Sequence, residues 1–262
     1  MNMAKQTRHF NYRLLSNADL EAFHEQGYLV IRNILTVEGL AQMREECMKT
    51  WNEEKTGFDP GKSWLQNSLL VNIHHRSNTV KDYYFDGPLV DIATQLIGPD
   101  IKCATSQLTF KMAGNTKPFG WHQDNGYGEL EPYTALTTLT ALDDTDQENG
   151  CLWLIPGSHR GGQIKVQQTE EQKKKKSEII VAADDGLAVP MEMKAGDVLI
   201  FSCWMLHKSD GNHSKERDRR ILFLRYADAN AVEVYNGRRP RLGRLLRGTT
   251  VFDEVKAFEQ DL

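Results

Sequence analysis

The sequence predicts a mainly β fold, a double-stranded β-helix (a jelly-roll, cupin-like barrel) buttressed by N-terminal helices. Three observations point there. Helical periodicity is confined to the residues before Lys102, short β-rich runs follow one another after it, and clusters of Gly, Asn and Pro separate those runs. The chain has 262 residues, 40% of them hydrophobic, enough for one large core, so a single domain over 1–262 is expected.

Residues 1–15 are polar and read as a loose tail. Ser16 to Gln26 reads as a helix, with Ser16 and Asp19 as a capping box and Gly27 as its stop. Tyr28 to Ile31 is a β-rich run. A second helix starts near Thr36 and carries Leu40, Met43 and Cys47 at helical spacing. A third runs from about Pro88 to Ile97, with Asp86 suited to its N-cap and Gly98 to its end. The strand-like runs are Ala104–Met112, Ala135–Leu142, Leu152–Ile155, Ile179–Ala182, Ala188–Met193, Asp197–Ser202 and Arg220–Tyr226. The polar segment 161–177 contains four consecutive lysines, Lys173 to Lys176. It reads as a solvated mobile loop, and its place between strands also suits a lid.

A net charge of −4 and a pI near 6.1 argue against a dedicated nucleic-acid binder. No apolar run has the length of a membrane span, and the first ten residues hold no signal-peptide core. Cys47, Cys103, Cys151 and Cys203 form no Cys-x-x-Cys pair, so reduced, buried thiols in a cytoplasmic protein are expected.

Chemistry concentrates in four residues. His122 and Asp124 lie two apart in Gly-Trp-His-Gln-Asp, and residues i and i+2 of a strand share a side. They can therefore approach one ion, with Gln123 turned away. Alone, the pair is also consistent with a surface contact. His207 ends a long apolar stretch that begins at Val198, so if buried it needs a polar partner, either a metal or a core hydrogen bond. Two imidazoles and a carboxylate make the facial triad of a non-haem Fe(II) oxygenase, which leaves three metal positions open. Arg219, twelve residues beyond His207, suits the far carboxylate of a 2-oxo acid. Strand alternation directs only one of Arg219 and Arg220 inward, and the apolar register that follows favours Arg219. Ser209 can add a hydroxyl. The same triad is also compatible with a zinc hydrolase or with a non-catalytic jelly-roll binding module.

Other histidines fit less well. His213 lies in a polar loop, His24 on a helix, and His159 after a Pro-Gly-Ser turn. His74 and His75 are adjacent and face apart if on a strand, so at most one reaches a site.

Four segments together resemble the phytanoyl-CoA dioxygenase family of Fe(II)- and 2-oxoglutarate-dependent oxygenases. They are Leu20 to Arg32, Trp121-His-Gln-Asp124, Asn149 to His159, and Gly196 through His207, Ser209, Asn212 and Arg219. The resemblance implies Fe(II), the co-substrate 2-oxoglutarate and O2. It implies hydroxylation of an unactivated C–H of a small molecule, with release of succinate and CO2. By position, His122, Asp124 and His207 are the iron ligands and Arg219 binds the C5 carboxylate, with Ser209 as helper. Thr109 or Lys111 contacts the C1 end or the substrate. Related halogenases replace the carboxylate by a small residue, so Asp124 implies oxygenation.

The substrate is less legible. Tyr127 and Tyr133 either shape the pocket mouth or pack. The cluster Arg238, Arg239, Arg241, Arg244 and Arg247 admits three readings: a solvated basic tail, a site for an anionic substrate group, or a subunit contact. No feature of the sequence speaks to the oligomeric state.

Overall fold

The computed structural model describes residues 7–55, 67–126, 128–165 and 181–262. Two antiparallel sheets face each other as a jelly roll, and the helices cover the outer side of the larger one.

The first helix, α1 (Asn17–Gln26), is capped by both halves of the Ser16–Asp19 box. It stops at Gly27, whose φ of 80° is the left-handed conformation that costs glycine least. Strand β1 (Tyr28–Ile31) follows, then α2 (Val37–Glu54), capped by the Thr36 hydroxyl. After β2 (Leu69–Val71) comes a single 3-10 turn, Ile73–His75. Two short helices follow, α3 (Asn78–Phe85) and α4 (Pro88–Ile97). Gly87, not Asp86, is the N-cap of α4, because Asp86 already closes α3.

The larger sheet has the order β1-β9-β6-β11-β3-β14, with β2 also paired to β3. Its new members are β3 (Ile101–Lys111), β6 (Leu136–Ala141), β9 (Val198–Ser202), β11 (Arg219–Asp228) and β14 (Leu245–Arg247). The smaller sheet has the order β4-β10-β7-β8. It consists of β4 (Phe119–His122), β7 (Leu152–Leu154), β8 (Val189–Met191) and β10 (His207–Ser209). A third ribbon joins β5 (Leu130–Glu131), β12 (Val232–Glu233) and β13 (Arg239–Pro240), and a short helix α5 (Asp253–Ala257) ends the fold. No strand pairing among the described residues closes the sheets into a continuous barrel.

Strand alternation sorts β11 into two faces. Leu222, Leu224 and Tyr226 join Met43, Trp51, Tyr83 and Leu89 in the core under the helices. Ile221 turns the other way and packs with Leu139, Leu154, Met191 and Phe201 between the sheets. This second face carries the site.

Several local expectations are corrected. Residues 7–15 are no loose tail: Phe10 bridges to Leu35, and Phe10 and Leu15 are buried. The run expected at Ile179–Ala182 is no strand in its described part, where Val181 only bonds the Trp121 carbonyl at 2.8 Å. The run expected at Asp197–Ser202 is β9, and after a turn at 203–206 the chain enters β10 at His207. The lysine run Lys173 to Lys176 lies outside the described residues, as does most of the segment 161–177.

Candidate active site

His122 ends β4 and His207 begins β10, and the ladder places them directly opposite each other. Asp124 follows in the turn after β4. The register therefore brings together three side chains that lie 85 positions apart in sequence at their extremes. The His122 Nε2 lies 4.0 Å and the His207 Nε2 3.6 Å from Asp124 Oδ1. One ligand atom from each residue falls within 4.8 Å of the others, a spacing suited to one ion.

Hydrogen bonds orient all three groups. His122 Nδ1 meets the Gly120 carbonyl at 2.8 Å and His207 Nδ1 the Met205 carbonyl at 3.0 Å. A carbonyl only accepts, so each Nδ1 carries a proton and each Nε2 is left to face Asp124. Asp124 Oδ2 accepts a hydrogen bond from the Thr137 hydroxyl, which turns Oδ1 toward the imidazoles. The rings of Phe119 and Phe201 pack on His122 and His207 at 4.2 and 4.7 Å.

Electrostatics favour the metal-binding forms. Burial pushes the His122 imidazole down to about 3, and the His207 ring adds to it, so His122 is neutral over the ordinary range of pH. Burial works against the charge on Asp124, but His207, Arg225, His122 and the Thr137 hydroxyl outweigh it and hold the carboxyl below its ordinary value.

The triad faces a cavity of about 380 Å3 between the sheets. Arg219 lines it from the start of β11 and is only 2% exposed. Its Nε has no hydrogen-bond partner among the described residues, and burial brings its pKa down to about 10. Arg220 points the other way and makes a bidentate pair with Asp143 at 2.6 and 2.8 Å. Across the ladder from Arg219 is Lys111, which donates to Ser209 Oγ at 2.8 Å and to the Ser209 and Asp210 carbonyls. Ser209 and Thr109 also line the cavity. Gln123 turns away from the cavity, stays buried, and holds the backbone at Gly162, Ile164 and Trp204.

Other readings of the sequence are redirected. Tyr127 lies outside the described residues. Tyr133 stacks on Trp204 at 5.1 Å and bonds Glu129, and does not line the cavity. Tyr235 and Arg225, which the sequence did not single out, do line it. Of the arginine cluster, Arg241 reaches the cavity, while Arg238, Arg244 and Arg247 engage Glu131, Glu259 with Leu262, and Asp91. His74 and His75 sit on the 3-10 turn rather than a strand and meet Glu259, away from the triad.

The family described as "Phytanoyl-CoA dioxygenase (PhyH)" matches residues 23–221. The chain is 24% identical to a phytanoyl-CoA dioxygenase of Arabidopsis thaliana, over 77% of this chain and 85% of that one. It is 27% identical to the ectoine dioxygenase of Halomonas elongata, over 87% and 75%. It is 25% identical to a probable alpha-ketoglutarate-dependent hypophosphite dioxygenase of Stutzerimonas stutzeri, over 79% and 77%. Among solved structures, EctD from S. alaskensis with 2-oxoglutarate and 5-hydroxyectoine superposes with a TM-score of 0.70 at 23% identity, covering 95% of this chain and 91% of that one. The apo non-heme monooxygenase ThoJ superposes with a TM-score of 0.71 at 24% identity, over 88% and 84%.

Proposed function

The chain belongs to the phytanoyl-CoA dioxygenase family, and we propose that His122, Asp124 and His207 hold its Fe(II) while Arg219 anchors 2-oxoglutarate. It is an Fe(II)- and 2-oxoglutarate-dependent dioxygenase that acts on a small molecule. We further propose that the substrate carries an anionic group. No helix among the described residues is long and apolar enough to cross a membrane.

The observation that carries the reading is the buried Arg219 guanidinium beside a preoriented triad. Leaving a charge uncompensated in a protein interior costs several kcal/mol. A carboxylate placed against Arg219 cancels that cost through charge-assisted hydrogen bonds. A zinc hydrolase or a non-catalytic module leaves Arg219 without such a partner, and neither is favoured.

When bound, iron and 2-oxoglutarate together supply the oxidation of a C–H bond by O2, yielding an alcohol, succinate and CO2. The chain's own residues bind and orient. The two imidazoles and Asp124 Oδ1 offer three donors on one side, and the backbone carbonyls of Gly120 and Met205 keep the rings from rotating. Lys111 fixes Ser209, whose hydroxyl borders the cavity near Arg219. Apolar walls from Leu139, Phe201, Ile221 and Phe223 exclude water from the reacting carbon.

The test is anaerobic. Fe(II) and then 2-oxoglutarate are added to apo-protein, and the visible charge-transfer band of the chelated complex is recorded. We expect the band in the wild type and its loss in Arg219→Ala. Bound metal without any band in the wild type overturns the reading.

A further inference from the structure

The cavity wall built by β3 and β11 is basic at both ends. At one end Arg219 faces Lys111 across the ladder. At the other, Arg225 faces Thr105, and the Thr105 hydroxyl accepts a hydrogen bond from Arg241 at 3.2 Å. At ~3.4 Å per residue, the strand sets these ends about 20 Å apart. Apolar Ile221 and Phe223 lie between them. A five-carbon co-substrate at Arg219 has four carbon–carbon bonds of about 1.5 Å and reaches at most about 6 Å, so it leaves the far end to another molecule.

The far end is undercompensated. Arg225 is 8% exposed and donates to the neutral side-chain carbonyl of Asn125, and among the described residues its Nε has no hydrogen-bond partner. Arg241 pairs with Glu233 at 2.9 Å and donates to the Ala104 carbonyl, yet among the described residues its own buried Nε also lacks a partner. Among the described residues around the cavity, the cations Arg219, Arg225 and Arg241 stand against the carboxylates Asp124 and Glu233. Lys208, also at the wall, is matched by Asp185 and Asp210 at 2.8 and 3.6 Å. An Fe(II) dication and a 2-oxoglutarate dianion leave that balance unchanged, so the positive surplus falls to the substrate.

We propose that Arg225 and Arg241 form a second anion site, which takes the carboxylate or phosphonate of a compact substrate and sets its apolar carbons toward the triad. The proposal rests on the dioxygenase reading and specifies its substrate class. Planar guanidinium groups suit such oxyanions because they donate two parallel hydrogen bonds. Arg225 has a second duty, since it also supports Asn125 beside Asp124. Arg241 is therefore the cleaner position to change.

The probes are methylphosphonate, acetate and the neutral dimethyl methylphosphonate. Each is titrated by saturation-transfer NMR into anaerobic protein loaded with Fe(II) and saturated with 2-oxoglutarate. At least one anion binds and the neutral ester does not. Preference between the two anions identifies the group recognised. Arg241→Gln weakens the anion by about tenfold or more, and Arg241→Lys restores part of the loss. Arg225→Lys, checked for folding by circular dichroism, weakens it as well. Arg238→Gln, which only breaks the exposed pair with Glu131, leaves it unchanged. Wild-type affinity in Arg241→Gln, or equal binding of the neutral ester, overturns the proposal. The charge-transfer band is read in the same samples. Its absence counts against the dioxygenase reading, while the Arg241 comparison still decides the anion site.

Discussion

Among the described residues, two places bring together two imidazoles and a carboxylate, and they are built differently. In the first, His122 and His207 come from paired strands and Asp124 from the adjoining turn. Backbone carbonyls take the outer Nδ1–H groups, and Thr137 takes the outer carboxylate oxygen. The inner atoms stand 3.6 to 4.0 Å apart, too far for direct hydrogen bonds and right for a shared ion. In the second, His74 and His75 are neighbours on one 3-10 turn and Glu259 comes from the C-terminal end. Glu259 bonds His75 Nε2 directly at 2.7 Å. Arg244 holds the Glu259 and Leu262 carbonyls at 2.8 and 2.9 Å. The second cluster is a clasp that ties the C-terminus to the turn. Both clusters bring their ligand atoms within 4.8 Å, and they differ in that the first satisfies its outer atoms and keeps its inner atoms apart while the second spends a carboxylate oxygen on a direct bond to an imidazole.

The comparison breaks most visibly at the triad. His122→Ala or Asp124→Ala should bring succinate release to background, a loss beyond the roughly 10- to 100-fold that removing an outer partner costs. The thermal melt should stay close to wild type. Full succinate release from either variant would remove the triad from the chemistry.

A smaller effect sharpens the account of the outer shell. Thr137→Val keeps the shape of the side chain and deletes the hydroxyl on Asp124 Oδ2. Fe(II) affinity, measured by competition with a chromophoric chelator, should fall about 10- to 100-fold. Unchanged affinity would mean that Asp124 needs no such support.

The smallest effect belongs to the clasp. Glu259→Gln should leave metal stoichiometry and the 2-oxoglutarate band untouched. His75 is 39% exposed at its side chain, so the lost pair is worth at most about 1 kcal/mol after screening, or about 2–4 °C of melting temperature. A drop in bound metal would make the second cluster a metal site and end the contrast.

Much of the local structure is legible in the sequence because its causes are local. The Ser16–Asp19 capping box, the Thr36 cap and the Pro88 start each announce a helix within a few residues. Helix α3 is harder to read. Val80, Tyr83 and Tyr84 have helical spacing, but the run is one short segment rich in aromatic residues that favour strands. Once α3 exists, Asp86 belongs to its end, and the cap of α4 moves to Gly87. In the site, the i, i+2 spacing singles out His122 and Asp124, whereas alternation puts Arg225 on the face of Arg219 without showing that it meets Asn125 and lines the cavity.

The sequence by itself determines the β-rich class, the main helices, and which residues of each strand share a face, because periods and caps act over a few residues. Only the tertiary structure decides which face meets which. The ladder sets His207 against His122, Arg225 meets Asn125 across 100 positions, and Glu259 meets His75 across 184. Those meetings depend on strand register and sheet packing, which no local pattern encodes.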